Sequence, residues 1–399
     1  MSFKTNMNNF VKGVKDKCVS LFKSSKTKVL KKPTLNGTKE LLIKNIVPIM
    51  FIVIGIIGVY FSKFSAATIV NEMLTRLARN SFLVISLLIP IIAGMGLNFG
   101  MTLGAMAGQI GLILITDWGI VGIPGIILAA IISTPISILL GWWCGMILNK
   151  AKGREMVTSY IIGFFVNGVY QLVVLFMMGV IIPIKSEILL PRGHGVRNMV
   201  NLQGIRKSLD NLIPLRIGTV NIPVATFILI ALLCFFIIWF RKTKLGQDMR
   251  AVSSDMEVAR ASGINVEKTR VLSIIISTVL AGYGMIVYLQ NMGTLNTYNS
   301  HMQIGMFSAA ALLVGGASVA KANIRNVFLG VILFHLMFYV APYAGKNLIG
   351  EAQLGEYFRV FVSYGVITIA LVIYEVSKRR ENRIEATLLR ESTGGEKNA

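Results

Sequence analysis

The sequence predicts an all-α polytopic membrane protein with about ten transmembrane helices and both termini cytoplasmic. Three observations carry this. Hydrophobic residues make up 54% of the 399 and charged ones only 15%, with a mean hydropathy of +0.68 that no ordinary soluble domain reaches. Apolar stretches close to the roughly 20 residues a bilayer crossing needs recur along the chain. The basic residues between them are distributed unevenly, crowding into alternate hydrophilic segments.

Residues 1–42 read as a basic cytoplasmic tail. Phe3, Met7, Phe10, Val14, Cys18 and Leu21 recur every third or fourth position with lysines between them, the pattern of an amphipathic helix lying on anionic lipid. A solvated tail that only enforces topology accounts for the same residues equally well. A cleaved signal peptide is disfavoured by the long hydrophilic lead, and a transit peptide by the absence of Arg before Arg76.

The transmembrane domain is read over 43–375. Its spans fall at 43–61, 80–97, 98–116, 120–148, 158–184, 222–240, 271–290, 304–319, 326–343 and 357–374, and residues 376–399 form a charged cytoplasmic tail. The second and third spans touch and read equally well as one broken helix. An even count puts both termini on one side, and most of the 40 Lys+Arg then lie in the cytoplasmic segments, chiefly the N-terminal tail, the loop 241–270 and the C-terminal tail. The net charge of +22 is therefore a topology signal, and no nucleic-acid partner is expected. One segment resists the rule. Residues 185–221, with Lys185, Arg192, Arg197, Arg206, Lys207 and Arg216, are expected as an exposed external loop.

Gly96, Gly100, Gly104 and Gly108 are spaced at four, which makes one smooth helix face for close packing in lipid. The same glycines permit a break of the kind that frames midplane binding sites. Asn98 and Gln109 lie among them, as hydrogen-bonding groups for a solute or as glue between helices. Ionisable side chains are almost absent from the spans, with His335 the main interior candidate, and it reads more readily as a hydrogen-bonded core residue than as a proton relay. Cys18, Cys144 and Cys234 with His194, His301 and His335 are too few and scattered for a metal site. No phosphate loop, zinc-protease or nucleophile-elbow motif occurs, so neither catalysis nor a cofactor is expected in this chain, and uphill movement of a solute would draw energy from a partner.

In the loop 241–270, Ser254 and Glu257 have capping-box spacing, Asp255 adds charge to the first turn, and Gly263 can close the C-terminus of a short helix. A helix of about two turns is marginal alone. It therefore implies docking, unless the loop is simply solvated.

The run Gly246-Gln-Asp-Met-Arg250-Ala251-Val252 continuing through Ala259, Ala261 and Gly263-Ile264 resembles the cytoplasmic loop of ABC transporter permeases of the branched-chain amino acid, ribose and nucleoside (simple sugar) import family. Ser277 to Gly284, STVLAGYG, and Leu313 to Ser318, LVGGAS, resemble later elements of that family, and the early glycine-rich stretch occupies the matching place. The phrase Gly153-Arg-Glu155-Met-Val-Thr158 is similar to the nucleoside branch. Ser253 stands where the family usually has Gly, and Asn98-Phe99-Gly100 with Gly108-Gln109 matches the branch's early phrase only in part.

The resemblance implies an importer's membrane subunit in the bacterial plasma (inner) membrane. ATP and Mg would sit on separate ABC ATPase subunits. A second permease subunit, identical or paralogous, would complete the path, and an extracytoplasmic solute-binding protein would dock outside, where the basic loop could pair with its acids. Arg250, Ala251, Glu257, Ala259 and Gly263 would be the residues coupling to the ATPase, the small ones permitting close packing and the charges setting register. An uncharged path suits a neutral polar solute, a simple sugar or nucleoside, and the path candidates are Asn98, Gln109, Asn167, Gln171, Tyr288, Gln290 and Gln303. Each serves equally as helix glue. A self-contained secondary carrier or facilitator is the competing reading, and a membrane scaffold or enzyme subunit a third.

Overall fold

Apolar backbone in lipid has only its own helix to satisfy its N–H and C=O groups, and nearly all the regular structure here is helical. The computed structural model describes residues 46–184, 188–191, 193–351, 353–361 and positions 364, 365, 368 and 372. The expected basic tail 1–42 and charged tail 376–399 lie outside the described residues.

In chain order the helices are α1 (Ile46–Ser62), α2 (Ala66–Ser86), α3 (Leu88–Ile92), α4 (Met101–Asp117), α5 (Gly122–Lys150) and α6 (Glu155–Leu172), the last running into a π-helical turn, Val173–Met177. An irregular stretch then carries β1 (Met199–Asn201), β2 (Pro214–Ile217) and β3 (Val220–Pro223). There follow α7 (Val224–Phe240), α8 (Lys244–Ser254), α9 (Met256–Ala261), α10 (Val266–Met292), β4 (Thr294–Asn296), α11 (Ser300–Val314) and α12 (Ile324–Ile349).

Among the described residues, five helices are long and apolar enough to cross a membrane: α2 continued by α3, α5, α6 with its π turn, α10 and α12. A sixth arises if α7 and α8, bent by 69° at their junction, count as one, and α1, α4 and α11 are shorter apolar helices. The chain is thus multi-pass.

The contacts sort the connections onto two ends. At one, Gly94 lies against Ser253, Gly96 against Val319, and Asn149 donates to the Glu267 carbonyl at 2.9 Å. At the other, β1 pairs antiparallel with β4, Gly122 donates to the Gly204 carbonyl at 2.9 Å, and Asn347 donates to the Phe61 carbonyl at 2.9 Å. These are called the α8 end and the β end below.

Helix α10 is the hub, packed on α4 and α5. Its approach to α4 is set by small residues: a Cβ on Gly104 would collide with the Thr278 carbonyl, and one on Gly108 would stand 2.6 Å from the Gly282 carbonyl. Gly141 and Gly145 of α5 meet Ile275 and Val271 of α10 in the same way. In lipid such contacts replace the hydrophobic drive that packs helices in water. Helices α11 and α12 cross where Gly330 meets the Ala311 carbonyl.

Two features differ from the sequence reading. The second span does not begin near residue 80. Its helix starts at Ala66, with Ser65 accepting from the Thr68 backbone at 3.2 Å as N-cap. Residues 66–79 mix polar with apolar side chains, so an apolar-length ruler misses them, but the Arg76–Glu72 pair at 2.7 Å and packing on α12 keep them helical. The break that follows, 93–100, separates α3 from α4 outright. Gly94 and Gly96 take φ of 73° and 71° there, a left-handed backbone that ends the helix. The break lies at the α8 end, where Gly94 meets Ser253 and Gly96 meets Val319.

The second difference is the loop 185–221. Its Arg197, Arg206, Lys207 and Arg216 are exposed, but Val196, Val200, Leu202 and Ile205 are buried, and β1 is held by β4. A stretch read as an exposed loop is therefore docked at the β end by apolar residues interleaved with its cations. Lys185 and Arg192 lie outside the described residues.

Candidate functional site

Three helices bring uncharged polar side chains together inside the bundle. Gln109 comes from α4, Asn167, Tyr170 and Gln171 from α6, and His301 from the first turn of α11. Gln109 and His301 are fully buried, and Tyr170 nearly so. The His301 ring places Nδ1 3.0 Å from Gln109 Oε1 and Nε2 2.7 Å from Asn167 Oδ1. Gln171 Nε2 donates to the same Asn167 oxygen at 3.4 Å, and the Tyr170 ring meets the imidazole edge-on, centroids 5.1 Å apart.

The proton count at the imidazole is instructive. A neutral ring donates from one nitrogen only, yet both face amide oxygens. Turning the Gln109 amide, whose oxygen and nitrogen differ little in shape, brings its otherwise unpartnered Nε2 to the ring and satisfies a neutral histidine at both nitrogens. What is left is a Gln109 oxygen and the Tyr170 hydroxyl, which has no protein partner. An acceptor and a donor, both buried, are groups that a hydroxyl-bearing guest or a water can satisfy. No hydrogen bond of this cluster reaches a charged side chain among the described residues.

Counted along each helix at about 1.5 Å per residue, Gln109 lies about 12 Å from the α8 end, Asn167 about 18 Å and His301 about 20 Å. In a core of about 30 Å these depths bracket the middle. Helix α11 is 15 residues long, about 22 Å of helix against a core of about 30 Å, so its N-terminal turn starts inside that thickness and carries His301 with it.

The other sequence candidates lie apart. Asn98 sits in the break at the α8 end, its Oδ1 accepting from Gly100 N at 2.9 Å and its buried Nδ2 unpartnered. Gln290 is at the β end, where Asp210 collects it: Asp210 Oδ1 accepts from Thr226 Oγ1 at 2.6 Å and Gln290 Nε2 at 3.2 Å, and Oδ2 from Asn291 Nδ2 at 2.6 Å. Tyr288 lies under the Arg79 guanidinium, 5.3 Å from the ring centroid. Gln303 is exposed. His335 is buried against Phe334 and Phe338. The structure thus gathers Gln109, Asn167 and Gln171 and leaves Asn98, Tyr288, Gln290 and Gln303 elsewhere.

His301 and Asp210 were missed because both sit in segments read as outer loops. The polar run Tyr298-Asn-Ser-His, with two helix-starting residues before His301, is the signal that α11 begins earlier than its apolar stretch.

At the α8 end, α9 is a six-residue helix. Its N-cap is Asp255, not Ser254: Asp255 Oδ1 accepts from Glu257 N at 2.8 Å and Val258 N at 3.0 Å, while Ser254 closes α8 and donates to the Arg250 carbonyl. A carboxylate beside its own two following N–H groups outcompetes a hydroxyl one residue back. Gly263, at φ 82°, follows the helix end. Val252, Ala259 and Val266 form a small core of their own with Ala251, Met256 and Ile264 against it. Arg250 and Glu257 point away from that core and are exposed.

Beneath α9 the charges interlock. Arg260 reaches Glu257 at 3.0 Å and Glu267 at 2.8 Å, and the Glu267 hydrogen bond holds the Arg260 guanidinium above its ordinary pKa. Arg270, fully buried, pairs with Glu155 at 2.5 Å and donates to Asn149 Oδ1 at 3.0 Å and to Met256 Sδ at 3.3 Å. One guanidinium therefore ties α9 to α10, to the end of α5 and to the start of α6, the helix that carries Asn167. Among the described residues no three His, Cys, Asp or Glu gather where a metal ion could sit.

Residues 69–371 match the profile of the family described as branched-chain amino acid transport system / permease component. This chain belongs to that family. The permease is similar to the galactose/methyl galactoside import permease protein of Haemophilus influenzae, 27% identical over 161 residues, 40% of this chain and 45% of the relative. It is similar to the nucleoside ABC transporter permease protein of Lactococcus lactis, 28% identical over 172 residues, 43% of this chain and 44% of the relative. A probable branched-chain amino acid transport permease protein of Methanocaldococcus jannaschii is 31% identical over 129 residues, 32% of this chain and 40% of the relative. The chain spans about half the length of the curated relatives it matches, and no solved structure matches it.

Proposed function

We propose that this permease is the membrane subunit of an ATP-driven importer for a neutral polar solute, a simple sugar or nucleoside, in a bacterial plasma membrane. The observation that carries the reading is the uncharged set of buried Gln109, Tyr170 and His301 with half-buried Asn167, held near the middle of the bundle with one donor and one acceptor unmatched. Amides, a phenol and a neutral imidazole offer hydrogen bonds in both senses with no fixed charge, which complements hydroxyl-rich solutes. Relatives named for galactose and for nucleosides support the same class.

The topology proposed with it has ten passes and both termini inside. The described helices supply nine of them, α4 and α11 as short members, and the tenth is the expected span 357–374, much of which lies outside the described residues. The α8 end is then cytoplasmic and the β end external. Helix α9, with Arg250, Ala251, Glu257, Ala259 and Gly263, seats on a separate ATPase subunit that binds ATP and Mg. Its displacement passes through Arg270 and Glu155 to α6 and so to Asn167. A second permease subunit completes the path and a solute-binding protein delivers solute to the β end.

The experiment is uptake of radiolabelled sugars and nucleosides by cells carrying this chain with its co-purifying partners, comparing wild type with Asn167→Ala. Loss of one hydrogen bond of about 1.4 kcal/mol lowers uptake about tenfold with membrane insertion unchanged. Undiminished uptake in that variant removes the cluster from the path.

A further inference from the structure

On either side of the Gly218-Thr219 turn, the strands Pro214–Ile217 and Val220–Pro223 alternate aliphatic side chains with others. Each strand therefore has an apolar and a polar face, and the register decides whether the two agree. They do. Leu215 stands opposite Ile222 and Ile217 opposite Val220, while Arg216 stands opposite Asn221, and directly opposed residues share a face. The β2–β3 hairpin is thus amphipathic, aliphatic on one face and carrying Arg216 with Asn221 on the other. Leu215 and Ile217 are exposed, as are Leu212 and Ile213 just before them, so the apolar face is not taken up by the protein's own core. A cluster of exposed aliphatic side chains marks a contact surface.

What covers the face follows from its height. Helix α7 has 17 residues, about 25 Å of helix, and is followed by exposed Arg241 and Lys242, cations that belong at headgroup level. Its first residue, Val224, is then about 5 Å short of crossing a core of about 30 Å, and the hairpin, which runs into α7 at Pro223, lies across that gap. A second count agrees. Helix α3 packs beside α8, and from Ile92 at its end back along α2 to Asn71 is about 31 Å. Asn71 Oδ1 accepts from Asn221 N at 3.1 Å, which holds the hairpin to α2 at that height. A sheet of two strands leaves N–H and C=O groups along its outer edge that need water, while the apolar face needs its absence. Only the boundary between headgroups and acyl chains supplies both. The exposed stripe of α7, Ile228, Leu232 and Phe235, continues the same apolar surface into the bilayer.

We infer that the β2–β3 hairpin is a membrane-surface anchor: its apolar face enters the acyl boundary of the lipid leaflet at the β end, and Arg216 on the other face reaches the phosphates. The anchor fixes the entry of α7 and, through Asn71, of α2. It requires only that the β end is one membrane surface, whichever side that is, and so stands apart from the choice of solute.

Nitroxide labels on the full chain in phosphatidylcholine–phosphatidylglycerol vesicles test it, each on a single cysteine introduced by Leu215→Cys, Arg216→Cys or Ile217→Cys after Cys18→Ala, Cys144→Ala and Cys234→Ala. At 215 and 217, collision with lipid-dissolved oxygen is expected to exceed collision with a water-soluble nickel chelate severalfold, with the order reversed at 216. Nickel dominating at all three positions places the hairpin in water and overturns the proposal. Protection from both reagents at 215 and 217 assigns the face to a protein, a second copy or a soluble partner, and overturns the lipid. Oxygen dominating at all three sinks the hairpin into the acyl chains and overturns the boundary placement. In the unaltered chain, a carbene reagent carried by the lipid is expected to mark residues 212–222 as strongly as the exposed stripe of α7, and absence of marks there overturns the proposal without any substitution.

Discussion

The Arg270–Glu155 pair offers the sharpest test of how the α8 end is built. The Arg270 side chain is 1% exposed and that of Glu155 12%, at 2.5 Å, so truncating either strands a charge away from water. Arg270→Met removes the donor to Glu155, Asn149 and Met256 and keeps the volume. The cost expected is about 3–5 kcal/mol, the usual penalty for an orphaned buried ion. Glu155→Gln keeps an amide oxygen toward the guanidinium and is expected to cost less, about 2–3 kcal/mol. Glu155→Leu combined with Arg270→Met leaves no charge to desolvate, and a loss of no more than about 1 kcal/mol is expected because paired apolar replacement of buried ions is often neutral. A double-mutant cycle by reversible unfolding in detergent measures the coupling. Strict additivity of Glu155→Leu and Arg270→Met would show that the pair stores no interaction energy and refute the tie between α9, α10 and α6.

Further outcomes follow from the same geometry. Asp210→Ala leaves Thr226, Gln290 and Asn291 without their acceptor and is expected to cost about 3 kcal/mol, read as faster protease nicking between residues 196 and 223. Gly104→Val places carbon against the Thr278 carbonyl and is expected to destabilise by at least about 2 kcal/mol, with Gly104→Ala intermediate in the same unfolding assay. Asp255→Ala removes the α9 N-cap at about 1 kcal/mol, visible as faster amide exchange confined to 256–261; Ser254→Ala is expected to leave that exchange unchanged.

Much of this molecule can be read from its sequence, and the misses share one physical cause. Apolar length located the cores of α5, α7, α10 and α12, because lipid demands it. It failed wherever a helix continues through polar residues, as in the first three turns of α2, where capping by Ser65 and the Glu72–Arg76 pair sustain the helix instead of hydrophobicity. The same limit hid His301, one residue into a helix whose apolar run starts three positions later. Gln109 and Asn167 were legible as polar residues within spans, but nothing in one sequence shows that α4, α6 and α11 meet at them. Gln290 looked equally eligible, and only the fold of the 185–221 segment, which brings Asp210 over it, sends it to the β end. The capping residue of α9 was misplaced by one position because a spacing rule ranks Ser254 with Glu257, whereas geometry gives both N–H groups to the carboxylate of Asp255.

The central claim is that this permease moves a neutral polar solute through a path containing the His301 cluster, driven by ATP hydrolysed on another subunit. Uptake of sugars and nucleosides into proteoliposomes holding the purified complex, with and without enclosed ATP, tests it most directly. Accumulation is expected only with ATP, lowered about tenfold by Asn167→Ala while ATP hydrolysis persists. Accumulation that proceeds equally without ATP, or that Asn167→Ala leaves untouched, would contradict it.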